Sequence, residues 1–169
     1  MNLIATDRER YRTVIGHFAT GVAVITGRGP EGAVGMTTNA LTSLSLDPLQ
    51  LLVCFDNTTR TLPIVRETGR FGVNILRAHH DEMSGVFASK LPPERKFDGV
   101  DYTLDHDVPV LRDALAWLVC DLRELLPGGD HTIGIGDVVA MGHSDGEPLV
   151  WYRGRYTTIN LPAGRDDSE

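Results

Sequence analysis

The sequence predicts a mainly β protein, a small antiparallel barrel carrying a few short helices. Three observations point there. Short runs rich in β-branched residues follow one another from Val22 to the C-terminal region, separated by Gly- and Pro-containing turns. Helical periodicity is confined to brief segments, and no ladder of alternating strands and helices suggests a parallel sheet. The length, 169 residues with 41% hydrophobic and 23% charged side chains, suits one domain spanning residues 1–169 with a sizeable core.

In "TDRERYRTVIGHF", Thr6 and Glu9 are spaced as a capping box, and Tyr11, Val14, Ile15 and Phe18 recur at helical intervals. This predicts an N-terminal helix within residues 1–20, ending near Gly21. "VAVITG" and "AVGMTTNALTSLSL" read as strands around "RGPEG", and "LQLLVCF" as a fully apolar strand after Pro48. "DNTTRTLPIVRETG" predicts a short helix capped by Asn57 or Thr58, with Pro63 near its start and Gly69 at its end. "FGVNIL" returns to strand, and "HHDEMSGVFAS" is a second short helix with Met83, Val86 and Phe87 on one side. "KLPPERKFDGVDYTLDHDVPVL" reads as a loop broken by prolines. Two long strands, "ALAWLVCDLREL" and "HTIGIGDVVAMGH", are joined by the hairpin-like "LPGGD", "PLVWY" and "RYTTI" flank an "RG" turn, and residues 162–169 form a frayed tail.

Gly27–Gly32, "GRGPEG", matches G-x-G-x-x-G, yet a dinucleotide fingerprint must leave a strand and enter a helix. The stretch after Gly32 is rich in Val and Thr, and Pro30 sits inside the match, so the segment reads as a hairpin turn.

Charge narrows the function. A formal net charge of −7 lacks the cationic surface that a nucleic-acid backbone requires, although one local basic pocket for a phosphorylated small molecule is compatible with it. No apolar run approaches the roughly 20 residues of a membrane helix, and "MNLIATDRER" has no apolar signal-peptide region. Cys54 and Cys120 lie far apart in apolar runs and read as buried thiols of a reducing, cytoplasmic compartment. No catalytic triad, carboxylate pair or metal-spaced cluster is visible. His79-His80 and His106 each neighbour acidic residues but offer no full ligand set, so solvated surface is expected there and no metal. Trp117 reads as core.

In "GGDHTIGIG", regular alternation puts His131, Ile133, Ile135 and Asp137 on one strand face and Gly134 and Gly136 on the other. The paired glycines predict close approach of a ligand, a second backbone or a bulge. His131 stands at the strand's mouth, where spacing alone favours a rim residue without a task.

This block resembles the G-D-H-x-x-x-x-G signature of the short-chain flavin reductases, the reductase components of two-component flavin-dependent monooxygenases. It falls on Gly129, Asp130, His131 and Gly136. "FATGVAVIT", "GMTTNALTSLSLDP", "FGVNIL", "RKFDGV" and "LVWYRGRY" resemble further blocks of that family, in family order and over nearly the whole chain. One departure is Asp47-Pro48-Leu49, where members often carry two prolines.

The resemblance implies a flavin-binding split β-barrel with antiparallel Greek-key strands. It also implies a homodimer, and transfer of hydride from NADH or NADPH to FAD or FMN, with the reduced flavin passing to a partner monooxygenase. Both cofactors carry their own reactivity, which accounts for the missing protein acid, base or nucleophile. By the same resemblance Thr37, Thr38, Asn39 and Ala40 contact the flavin ring and ribityl chain, with Ser43 and Ser45 nearby. Asn57, Thr58, Thr59 and Arg60 form an anion site for the flavin phosphate, a role that hydroxyls and a guanidinium before a helix suit. Asn74 and Phe97 line the flavin pocket. Gly129, Asp130, His131 and, in the terminal block, Tyr152 lie on the nicotinamide side. Two alternatives are a non-enzymatic flavin-binding split barrel and an oxidase resembling the pyridoxamine-phosphate oxidases.

Overall fold

The computed structural model describes residues 7–159. Helix α1 (Arg8–Ile15) opens on Asp7, whose carboxylate accepts the Arg10 amide hydrogen bond at 2.8 Å. It is shorter than periodicity suggested, because the chain is already extended at β1 (Thr20–Gly21). The proposed cap Thr6 and the tail 162–169 lie outside the described residues. Strands β2 (Ala23–Gly29) and β3 (Gly32–Thr38) form a hairpin on Pro30-Glu31, with Gly32 at φ +123°. "GRGPEG" is therefore a turn between strands. β4 (Leu41–Leu46) and β5 (Leu49–Asp56) come next, then α2 (Thr61–Thr68), β6 (Arg70–Ile75), α3 (Asp81–Ala88) and α4 (Pro93–Lys96).

The stretch expected to be loop contains more order than its prolines suggested. Besides α4, which Pro93 opens at its first position, it forms a hairpin of β7 (Tyr102–Asp105) and β8 (Val108–Leu111). His106 and Asp107 take positive φ at its turn, and Val108, Val110 and Leu111 are buried. Pro109 is tolerated because β8 pairs with β7 alone. The long strands β9 (Ala116–Gly128) and β10 (His131–His143) meet at Gly129-Asp130, and β11 (Val150–Tyr152) and β12 (Arg155–Thr157) close a small sheet with β1.

Seven antiparallel strands run in the order β3-β2-β6-β9-β10-β5-β4. The two edge strands are joined by residues 39 and 40 alone, so the sheet must roll until its edges meet. No ladder links β3 to β4, and the barrel stays split along that seam. Its interior holds Ile25, Val53, Phe55, Phe71 and Val73, all fully buried. At Gly134 and Gly136 a Cβ would stand 2.6 Å from Phe55 and Phe71 respectively. The close approach is that of core aromatics, packed edge to face at 5.9 Å, and a register shift also falls between Ile135 and Gly136. A second cluster around Val24, Leu76, Phe87, Leu111 and Leu149 seats α3 on the outside of the barrel.

Candidate functional site

The seam opens into a cleft of about 580 Å³, within the roughly 300–1,000 Å³ of small-molecule sites. One wall is β3 and the link after it, Val34 to Ala40. As an edge strand, β3 turns every second backbone N–H and C=O away from β2 toward the seam. The side chains expected to do the recognising are partly engaged already. Thr37 Oγ1 donates to Ser84 O at 2.7 Å, tying β3 to α3. Thr38 Oγ1 accepts from Ala40 N, and Asn39 Nδ2 donates to Thr20 Oγ1. The seam-facing backbone of β3 therefore stands beside hydroxyls that are already engaged.

The opposite end is cationic. Arg60, Lys90 and Lys96 all line the cleft against a single carboxylate, Asp56, in a chain of net charge −7. Among the described residues none of the three cations is in an ion pair. Lys96 Nζ donates to Phe87 O at 2.8 Å and Gly35 O at 3.4 Å, which holds α4 over β3. Burial, and then the neighbouring Arg60, pushes its ammonium below the ordinary lysine range. Asp56 stays charged: the Thr58 backbone N–H and then the Thr58 hydroxyl, both at 2.7 Å, hold its carboxyl low. That turn delays α2, whose N-cap is Arg60 and makes no side-chain cap bond, so neither Asn57 nor Thr58 caps the helix.

Asn57 lies outside the cleft but braces it. Its backbone N–H donates to Asp130 O at 3.1 Å, its Nδ2 donates to Gly129 O at 3.3 Å, and its Oδ1 accepts from Thr132 Oγ1 at 2.7 Å. These bonds pin the Gly129-Asp130 turn and bring His131 to the cleft wall. Asp130, an acceptor when ionised, accepts a hydrogen bond from His131 Nδ1–H at 2.8 Å, which leaves Nε2 as the free ring nitrogen. That hydrogen bond, followed by the imidazole's charge, holds the Asp130 carboxyl below its usual range.

The structure thus brings Thr37, Thr38, Asn39, Ala40, Thr58, Thr59, Arg60 and His131 to one cleft. Ser43 and Ser45 do not reach it: they lie on β4 beyond the seam, and Ser45 Oγ accepts from Asp47 N. Asn74 is fully buried, and its amide bonds Val24 O, Thr26 Oγ1 and Leu111 N, so it locks the core rather than lining the cleft. Phe97 packs on Phe87 and Tyr102 at 5.0 and 5.4 Å and faces a neighbouring cavity. Tyr152 belongs to the small sheet beside His17 and is not a cleft residue. The residues that sequence reasoning missed are Lys90, Lys96, Asp56 and Cys54. Lys96 stood in the quoted "RKFDGV" block, the one signal that could have found it. Cys54 is half-buried on the cleft wall, whereas Cys120 is fully buried, where desolvation, and then Asp121, pushes its thiol up to about 12.

The histidine pair also departs from expectation. His80 is only 5% exposed, and His79, His80 and Asp113 present ligand atoms within 4.8 Å of one another. A metal fits this group poorly. His80 Nδ1 accepts the Arg77 amide, so Nε2 carries the proton and donates to Asp113 Oδ2 at 3.2 Å. Arg77 Nε also lies 3.1 Å from Asp113. The cluster is an ion-paired clasp, with Arg77 reaching on to Asp145 O and Ser144 Oγ.

The family model described as "Flavin reductase like domain" matches residues 15–160. A Rhizobium meliloti protein named "Probable flavin reductase" is 38% identical over 92% of this chain, which spans only 50% of that relative's length. The reductase subunit of a flavin-dependent monooxygenase from Rhodococcus jostii is 37% identical, covering 98% of this chain and 87% of its own. Among solved structures, the NADH:FAD oxidoreductase of Streptomyces globisporus in complex with NAD and FAD fragments superposes with a TM-score of 0.89. It is 32% identical and covers 97% of this chain and 100% of that one. An open antiparallel barrel whose split edge carries a cationic, histidine-flanked cleft thus coincides with these matches, and the chain belongs to the flavin reductase-like family.

Proposed function

We propose that the chain is an NAD(P)H-dependent flavin reductase, of the subclass acting on flavin as the acceptor, that supplies reduced flavin to a partner monooxygenase. The observation that carries this reading is the cleft itself: the seam-facing backbone of edge strand β3 at one end, Arg60, Lys90 and Lys96 at the other, and His131 on the wall. The residues fit a flavin. Backbone donors and acceptors of residues 35–40 suit the polar edge of its ring, and the cations with Thr58 and Thr59 suit its phosphate. When bound, the nicotinamide nucleotide and the flavin supply the redox chemistry between their own rings. The chain's part is geometric: β3 orients, the cations anchor, Asn57 and Asp130 fix the His131 ring, and the docked α3 and α4 limit access of water. The names of the relatives, a monooxygenase reductase subunit and an NADH:FAD oxidoreductase, support the same reading. Mixing the pure protein with flavin and NADH under nitrogen tests it. Loss of flavin absorbance faster than the uncatalysed rate is expected; its absence refutes the enzyme and favours a mere flavin binder.

The protein is further proposed to act as a homodimer in the cytoplasm. Tyr11, Val14 and Phe18 on and just after α1 are each at least 67% exposed, an apolar stripe that a second copy would cover. Among the described residues no helix is long and apolar enough to cross a membrane. A monomeric mass by light scattering at micromolar concentration rejects the dimer.

A further inference from the structure

Helix α3 has eight residues, too few to be stable alone, and Gly85 inside it weakens it further. Its place is therefore set by what holds it from outside. Among the described residues, side chains of other elements reach it through three hydrogen bonds. Thr37 Oγ1 donates to Ser84 O, Lys96 Nζ donates to Phe87 O, and the hydroxyls of Ser84 and Tyr156 are bonded at 2.8 Å. The first two come from the cleft side, from β3 and α4. The third comes from β12, so α3 is gripped between the barrel and the small sheet. Ser84 is fully buried, and two ties meet on it: its carbonyl takes Thr37 and its hydroxyl takes Tyr156. The Tyr156 ring is half-buried, packs edge to face on Trp151 at 4.9 Å and rests against the cluster that includes Leu76, Phe87 and Leu149. Its hydroxyl thus presents one fixed point to the helix. Three residues after Ser84, the run from Phe87 to Leu91 begins to wall the cleft and carries Lys90 into it.

We propose that Tyr156, which is not a cleft residue, is a positioning residue for the flavin: acting through Ser84, its hydroxyl sets where α3 lies, and so where Thr37 and Lys90 stand in the cleft. The inference rests on the flavin-reductase reading of that cleft. Without the Tyr156 hydroxyl, Ser84 Oγ is left in a buried place without that partner, and α3 keeps only the ties on its cleft side. The helix then shifts to satisfy the stranded group and takes Lys90 and the bond to β3 with it. His131 stands apart from this chain of contacts, on β10, with the turn before it braced by Asn57. The effect is therefore confined to the flavin and does not reach the nicotinamide side.

The test compares Tyr156→Phe, Ser84→Ala and the double variant with the unmodified full chain, by flavin-fluorescence titration, steady-state kinetics with NADH well below the Tm, and the Tm itself. Phenylalanine keeps the ring and its packing on Trp151, and Ser84→Ala removes the same bond from the other side, so it decides alone by the same readouts if Tyr156→Phe does not fold. Each single variant is expected to raise the flavin Kd and KM by about 3- to 10-fold. Both kcat and the KM for NADH at saturating flavin stay within about twofold. The double variant is no weaker than the weaker single one, because both substitutions delete one bond. A merely structural hydroxyl gives a different pattern: a lower Tm and less active protein, hence a lower kcat, with flavin Kd and KM unchanged. That pattern overturns the inference, and so does a double variant whose losses multiply. Variants that match an active, flavin-binding parent refute this inference alone; a parent that neither binds nor reduces flavin refutes the reductase reading, and this inference with it.

Discussion

Replacing Arg60 with glutamine removes one of three cations from a cleft that holds one carboxylate. Arg60 is exposed, makes no side-chain cap bond to α2 and, among the described residues, no ion pair. Its loss therefore strands no buried partner, and folding stability is expected to move by less than about 0.5 kcal/mol. Binding is different. A charge-assisted hydrogen bond to phosphate is worth about 1.5–3 kcal/mol when shielded, and solvent exposure lowers that toward about 1–2 kcal/mol. Lys90 and Lys96 remain, so the flavin dissociation constant should rise by about 5- to 30-fold rather than become unmeasurable. A flavin-fluorescence titration at low salt reads this directly. Repeating it at about 0.5 M salt, where the screening length is about 4 Å, should shrink the difference between the two proteins. A dissociation constant within twofold of the parent's, insensitive to salt, would place the phosphate elsewhere and refute the assignment of this end of the cleft.

Four further outcomes are expected. His131→Ala should raise the KM for the nicotinamide nucleotide well beyond any change in flavin affinity; unchanged KM with normal turnover removes that role. Gly134→Ala sets a Cβ 2.6 Å from Phe55 and should cost about 1–3 kcal/mol, seen as a lower Tm, whereas an unchanged Tm would mean the aromatic pair is loosely packed. A thiol reagent should modify Cys54 and spare Cys120 in the native protein, and flavin should slow the reaction; labelling without protection would put the flavin outside the seam. His80 gives a pH dependence. Burial, and then His79, holds its pKa below 6.5, so the unfolded chain takes up this proton first as pH falls. Its contribution to stability is complete above about pH 6.5 and is lost below it. Asp113 acts in the same sense, but only below its ordinary 3.8, because hydrogen bonds from His79 and then His80 hold it low. The Tm should therefore fall as pH drops below about 6.5, and His80→Gln should flatten that slope; an unchanged slope excludes His80 as its cause.

Legibility varied with the range of the interaction. Glycines at 32, 69 and 129 marked turns and a helix end, because left-handed backbone is a local demand that few other residues meet. The β7–β8 hairpin was hidden by its prolines and by a turn, His106-Asp107, that takes positive φ without glycine. Asn74 matched the family block yet spends its amide inside the core, a fate that partners from β2 and β8 decide. The His79-His80 pair read as surface because Asp113 and Arg77 must close around it to bury one ring.

Alternation of side chains, turn residues and the ordered motif blocks determined by themselves that this is an antiparallel β protein of flavin-reductase type, since those signals are written between residues a few positions apart. Only the tertiary structure decided where the sheet stays open and which cations meet there. Lys90 and Lys96 reach the residue 36–40 wall because Phe87 and Thr37 dock α3, and α4 after it, onto β3. Contacts across some fifty residues depend on how the packed surfaces fit, and no short stretch of sequence carries that information.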